Sequence, residues 1–387
     1  MTAVCKFFHM RSLLGGSVRR LCTGAGSVMR VGNVSMPLGP KPLRPSLVPS
    51  PAPLRGVPPT VADSPHTLGV VQWLMKKAAL HQDAILLGSH PATLRRLVFR
   101  YAELLEREVE VISISRDTTE SDLKQRRELR AGSVEYVDQP VVQAALHGRL
   151  LVIEGLEKAE RNLLPVINNL LENREMALED GSLLIHPDRY ASLVDSGMSE
   201  TELTARRLLK VDPRFMVVAL GLPVPRFPGT PLDPPLRSRF QARAVAPPPA
   251  ARRKEDLAQL LTGDSAAAAA ADLGQAVDAL DALDALHAMR AGGASGGGGG
   301  GGVADFALPC APAEALVSTA RLCERFPQLP CADALLRVLP HAAASAEVRA
   351  MLEQFGLAST SATSSASASS SASASSSASA SAATAAA

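Results

Sequence analysis

Between Ser64 and Arg243, short apolar runs alternate with segments of helical spacing, and no other feature restricts the fold as tightly. AILLG (Ala84–Gly88), EVEVISIS (Glu108–Ser115), RLLVIEG (Arg149–Gly155) and RFMVVALG (Arg214–Gly221) are short, apolar and contain β-branched residues. Such runs are expected of strands buried on both faces. PATLRRLVFRYAELLERE and ERNLLPVINNLLENREM, by contrast, repeat their apolar residues every three or four positions. Strand–helix alternation predicts an α/β fold: a parallel sheet with helices on both faces. After Thr119, spaced from Asp122 like a capping box, the sequence predicts a helix carrying Lys124, Arg126, Arg127 and Arg130 on a solvated face.

The strand-to-helix junctions hold worn versions of nucleotide motifs. The first run leads into LLGSHPATLRRL. A working phosphate loop there reads G-x-x-x-x-G-K-[ST], its backbone N–H groups and lysine holding phosphates and its hydroxyl holding magnesium. Here Gly88 is followed by Ser89, His90, Pro91 and Ala92. Thr93 then stands at the second glycine, Leu94 at the lysine and Arg95 at the hydroxyl position. Pro91 removes one N–H. A one-residue slip would put Arg95 at the lysine position instead, as a broad fork where a compact point charge belongs. The third run ends in Glu154–Gly155, where magnesium and base motifs need Asp then Glu. Glu154 can still serve a metal. Gly155 cannot take a proton, and Glu157 is the nearest carboxylate to recruit. A positioned base contributes about 10²–10⁴ in rate, so its loss predicts very slow turnover. Leu222 stands where a polar residue that orients water is expected, and PLDPPLRSRF offers Arg239, or second Arg237, to a neighbouring site. The alternative for Arg239 is a surface pair with Asp233.

The order of these segments resembles the dynein-related and MoxR-like branch of the AAA+ ATPases. It is carried by TTESDLKQRRELRAG, VDQPVVQAALHGRLLVIEGLEKAERNLLPVINNLLENREMALEDG, VDPRFMVVALGLP and LDPPLRSRF. Details such as EGLEKAERN and PLDPPLRSRFQAR are similar to the opening ATPase module of a multi-module mitochondrial family that ends in a metal-binding von Willebrand A domain. The resemblance implies a P-loop NTPase-like core over 63–245, ATP and Mg2+ as weak or vestigial ligands, and a small helical lid over 305–357. It also implies other AAA+ modules or subunits in a ring as partners. Glu154 and Arg239 would be its catalytic residues, Glu154 also its metal ligand, and Gly88 to Arg95 its nucleotide-binding loop. Two readings stand beside a hydrolysis-deficient module: a competent ATPase using Arg95 and Glu154, and an interaction scaffold without nucleotide. The later modules are absent from this sequence, so it reads as an N-terminal piece.

Charge sorts the remainder. The first acidic residue is Asp63, and eight Lys or Arg precede it. Without those eight the chain carries 32 basic and 38 acidic residues, a balance of −6 that argues against nucleic acid as a partner. A basic, acid-free start with Phe7, Phe8, Met10, Leu13 and Leu14 opposite Arg11 and Arg19–Arg20 predicts a mitochondrial transit peptide over 1–30 and a matrix location. Residues 31–62 read as a Pro-rich linker, 246–304 as an Ala/Gly-rich region and 358–387 as a disordered Ser/Ala tail. No run of about 18 apolar residues predicts a transmembrane segment. Five cysteines without metal or pairing spacing predict reduced thiols.

Overall fold

The computed structural model describes residues 18–23, 26–49, 63–130, 132–224, 227, 229–258, 266–293, 313–326, 328–339 and 346–356. The chain divides into two compact units, Met1–Pro247 and Pro248–Ala387.

The first unit opens with an antiparallel meander of β1 (Val18–Thr23), β2 (Gly26–Val31) and β3 (Val34–Pro37). Arg19 and Arg20 therefore lie on a strand, inside the span expected to be a transit peptide. Met29 and Val31 are buried with Leu68 and Val71 of the helix Pro65–Ala79. The apolar stripe expected at Phe7 to Leu14 lies outside the described residues.

The centre is a five-stranded parallel sheet of β4 (Ala84–Leu87), β5 (Val109–Ser113), β8 (Leu150–Glu154), β12 (Met216–Gly221) and β13 (Gln241–Ala244). Its order is β13-β4-β12-β8-β5. The α/β expectation holds, and β13 adds a strand that the apolar runs did not announce. Along β8, Leu150 and Val152 pack on one face and Leu151 and Ile153 on the other. Both faces are covered: helices Pro65–Ala79 and Pro91–Leu104 on one side, Pro140–His147 and Leu164–Asn173 on the other. Each fully buried Leu, Ile or Val contributes roughly 1.5–3 kcal/mol relative to exposure, so the sheet is the rigid platform of the unit.

The expected basic helix is corrected. Only Glu120–Leu123 is helical, capped by Thr119 N–H donating to Asp122 (2.9 Å). Arg126, Arg127 and Arg130 instead lie on β6 (Gln125–Arg130), paired antiparallel with β7 (Ser133–Asp138). Gly132, at φ +84°, supplies the left-handed residue that the hairpin turn needs. A smaller sheet of β9 (Met176–Ala177), β10 (Leu183–Ile185) and β11 (Leu208–Lys210) lies within the same unit.

The second unit is helical. Ala250–Ala258, Ala266–Gly293, Ala313–Arg325, Cys331–Val338 and Ala346–Gln354 close around Leu273, Val277, Leu316, Leu335 and Leu352. The stretch expected to be low in complexity thus contains a 28-residue helix beginning in its alanine run, alanine being the strongest helix former. Cys323 and Cys331 are buried free thiols. The Ser/Ala tail lies outside the described residues. No helix among the described residues is long and apolar enough to cross a membrane.

Candidate functional site

Parallel register brings the expected site positions to one edge of the sheet. Leu87 pairs with Gly221, Leu220 with Glu154, and Ser113 with Glu154. The C-terminal ends of β4, β12, β8 and β5 therefore stand in a row. Gly88 N–H donates to Gly221 O (3.2 Å), so the Gly88, Glu154 and Leu222 positions surround one place.

The turn after β4 is short. Only Gly88, Ser89 and His90 separate the strand from a helix that begins at Pro91. Ala92, Thr93, Leu94 and Arg95 are already helical. Gly88 is required by crowding: a Cβ there would meet Leu94 Cδ2 and Val245 O at 3.0 Å. Leu94 is buried with Leu97, Val98 and Tyr101 in the core, which removes it from any phosphate. Arg95, one position on, leaves that stripe and grips Glu154 with both Nε and Nη2, one to each carboxylate oxygen. Of the two residues left open, Leu94 turns into the core and Arg95 toward Glu154. Its hydrogen bond with Glu154 holds the guanidinium above its usual pKa. Ser113 Oγ donates to Glu154 Oε2 (3.3 Å), so the carboxylate's bonds are made within the protein.

Gly155 adopts a left-handed conformation (φ +75°), and a Cβ there would approach Ile114 O to 2.7 Å. A carboxylate side chain at 155 is opposed by the backbone path itself. Glu157 follows in the short 3-10 turn Leu156–Lys158 and is buried, and its Oε2 has no hydrogen-bond partner among the described residues. That oxygen would lie 3.7 Å from a Cβ on Gly221, which points it at the same cleft. The cleft measures about 130 Å³ and is lined by Pro91, Ser113, Glu154, Glu157, Gly221 and Leu222 among others. Small-molecule sites commonly measure about 300–1,000 Å³.

Arg239 ends the helix Pro234–Arg239 and does not line the cleft. The structure corrects its expected alternative partner: Arg239 Nη2 contacts Glu172 Oε1 (2.5 Å) and not Asp233. Arg237, on the same helix, is exposed. The pairing with Glu172 could not be read from sequence, because the two residues meet only through packing of separate helices.

Residues 83–240 match the AAA domain family, dynein-related subfamily. Over 248 residues the chain is 51% identical to von Willebrand factor A domain-containing protein 8 of Mus musculus. That match spans 61% of this chain and 12% of the mouse protein's length. A solved protein from Cytophaga hutchinsonii, described as a candidate ATPase, aligns over 67% of this chain and 77% of its own. It is 11% identical with a TM-score of 0.35, and no argument rests on it.

Proposed function

We propose, from the match of residues 83–240 to the AAA domain family, dynein-related subfamily, a module whose own nucleotide site is held shut and which serves as a structural element beside competent AAA modules. One observation carries this reading: Arg95 and Glu154 satisfy each other at the place where phosphate and magnesium would lie. Nucleotide would have to break a charge-assisted, two-pronged contact, the strong kind of hydrogen bond. The residues present fit magnesium–ATP poorly. The turn is three residues long, Pro91 lacks an N–H, position 155 opposes a side chain and the cleft is small.

In an assembly, Arg237 and Arg239 are the groups on offer to a neighbour, Arg239 exchanging Glu172 for that neighbour's phosphate. An arginine so placed contributes about 10³–10⁵ in rate at a competent site. The reading includes a mitochondrial matrix address in the basic segment before β1. Cleavage after residue 30 would remove buried Met29 with β1 and most of β2, so the address is proposed to end before Val18.

Calorimetric titration of the whole chain with magnesium–ATP tests the shut site. No saturation is expected below about 1 mM, a binding free energy weaker than about 4 kcal/mol. A micromolar Kd, or phosphate release abolished by Glu154→Ala, would overturn the reading in favour of a competent ATPase. A fusion of residues 1–62 to a fluorescent protein should follow a matrix marker; a diffuse cytosolic signal removes the compartment from the proposal.

A further inference from the structure

At the opposite end of the sheet lies a second, larger cavity of about 420 Å³, within the size range of small-molecule sites. The residues that start the strands form its floor: Asp83 before β4, Glu108 before β5, Arg149 before β8, and Phe215 and Met216 at β12. β8 separates this floor from the nucleotide cleft by five residues, roughly 17 Å. The outer wall is the segment 36–43, MPLGPKPL, which leaves β3 and crosses beneath the sheet. It is anchored at both ends, by Leu38 N–H to Ser27 O (2.9 Å) and Arg44 N–H to Glu108 Oε1 (2.5 Å). Its three prolines carry no N–H, so a wall of this composition lines a cavity without stranding donors.

Charge accounting shows what the cavity would accept. Each lining carboxylate already has an arginine: Asp83 has Arg174 (2.8 Å), Glu106 has Arg20, and Glu108 has Arg149 (2.6 Å). Arg214 is likewise paired with Asp212 (2.7 Å). Arg149 also holds Glu110 (2.8 Å), so the lining groups and these partners together leave a surplus of one positive charge, while two lining cations lack an ion pair of their own. Lys41 has no ion-pair partner among the described residues. Arg107 spends its N–H groups on neutral acceptors, the Arg214 carbonyl (2.6 Å) and Tyr101 Oη (3.2 Å). The remaining walls are apolar: Met36, Leu38, Leu43, Leu105, Phe215 and Met216. An apolar cavity with a surplus of one positive charge, and with Lys41 and Arg107 outside any ion pair, is complementary to an amphipathic anion of single charge.

We propose that this cavity is a binding site for a small amphipathic carboxylate, its head between Lys41 and Arg107 and its apolar body along Leu38, Phe215 and Met216. The site is independent of the nucleotide cleft and does not rest on the function proposed for that cleft.

Calorimetric titration of the whole chain with dodecanoate, below its micellar concentration, tests this, with dodecanol as the uncharged match. Dodecanoate is expected to bind with a Kd in the tens of micromolar, at least tenfold tighter than dodecanol. A charged hydrogen bond of about 1.5–3 kcal/mol corresponds to roughly a 10- to 100-fold weakening in Lys41→Gln and in Arg107→Gln. Lys41 has no internal ion pair to lose, so its variant separates binding from folding; a circular-dichroism melt matching wild type confirms this. Equal affinity for dodecanol, wild-type affinity in Lys41→Gln, or no binding of dodecanoate up to 1 mM (about 4 kcal/mol) each overturns the proposal.

Discussion

Both ends of the five-stranded sheet carry an arginine–glutamate contact, and the two differ in what surrounds them. At the N-terminal end Arg149 is 2% exposed and holds Glu108 at 2.6 Å and Glu110 at 2.8 Å. At the C-terminal end Arg95 holds Glu154, but Arg95 is 46% exposed. The first is a rivet in a low-dielectric interior. The second is a gate with one member in water. Glu108 shows the effect of the rivet: burial pulls its pKa up, yet the Arg44 N–H and the Arg149 guanidinium outweigh burial and hold it below the usual carboxylate range. The same pair of residue types thus closes one edge permanently and the other by local preference.

The largest expected effect breaks the rivet. Arg149→Ala strands two carboxylates, one of them buried, and should cost about 3–5 kcal/mol in urea unfolding. Next comes Gly155→Glu, which supplies the carboxylate that the base motif calls for. Left-handed backbone and the Ile114 carbonyl oppose it, so a loss of about 1–3 kcal/mol is expected without any gain in phosphate release. Arg95→Ala should cost less than Arg149→Ala, about 1–2 kcal/mol, because Arg95 already lies partly in water, it leaves one carboxylate and not two without its arginine, and Ser113 still bonds that carboxylate. Equal losses at Arg149 and Arg95 would erase the distinction between rivet and gate.

β4, β8 and β12 were legible because their short runs are apolar at almost every position, β8 and β12 being buried throughout, and β5 because Val alternates with Glu and Ile along it. The stripe Leu94, Leu97, Val98, Tyr101 was legible too, and a core-facing Leu94 turns Arg95 toward Glu154. The hairpin of β6 and β7 was illegible for the opposite reason. Most of its positions are exposed on both faces, so no period-two pattern marks it, and Gly132 between Leu129 and Val134 was the one usable sign. Arg19 and Arg20, read as part of a basic targeting segment, lie on β1, whose partner strand the sequence did not mark. The cavity beneath the sheet left no trace in the sequence: its lining comes from residues 36–43, 78–83, 105–108, 147–149 and 213–216, joined only by topology.

The smallest effect sharpens the comparison at the gate side. His66, in the helix Pro65–Ala79, is partly buried and faces Arg243 and Arg96. Burial lowers its pKa below the ordinary value, the Ala246 backbone opposes that, and the two arginines add to it. A histidine depressed in the folded state is neutral there while the unfolded chain takes up a proton. Its contribution is therefore fully present above about pH 6.5, the unfolded value, and is lost as pH falls below it toward the lower folded value. His66→Gln should flatten that part of the decline. Urea midpoints at pH 7.5 and 5.5 should differ less in His66→Gln than in the wild type, while Arg149→Ala keeps this part of the wild-type slope. An unchanged pH slope in His66→Gln would show that burial beside Arg243 and Arg96 does not hold this imidazole neutral in the folded chain.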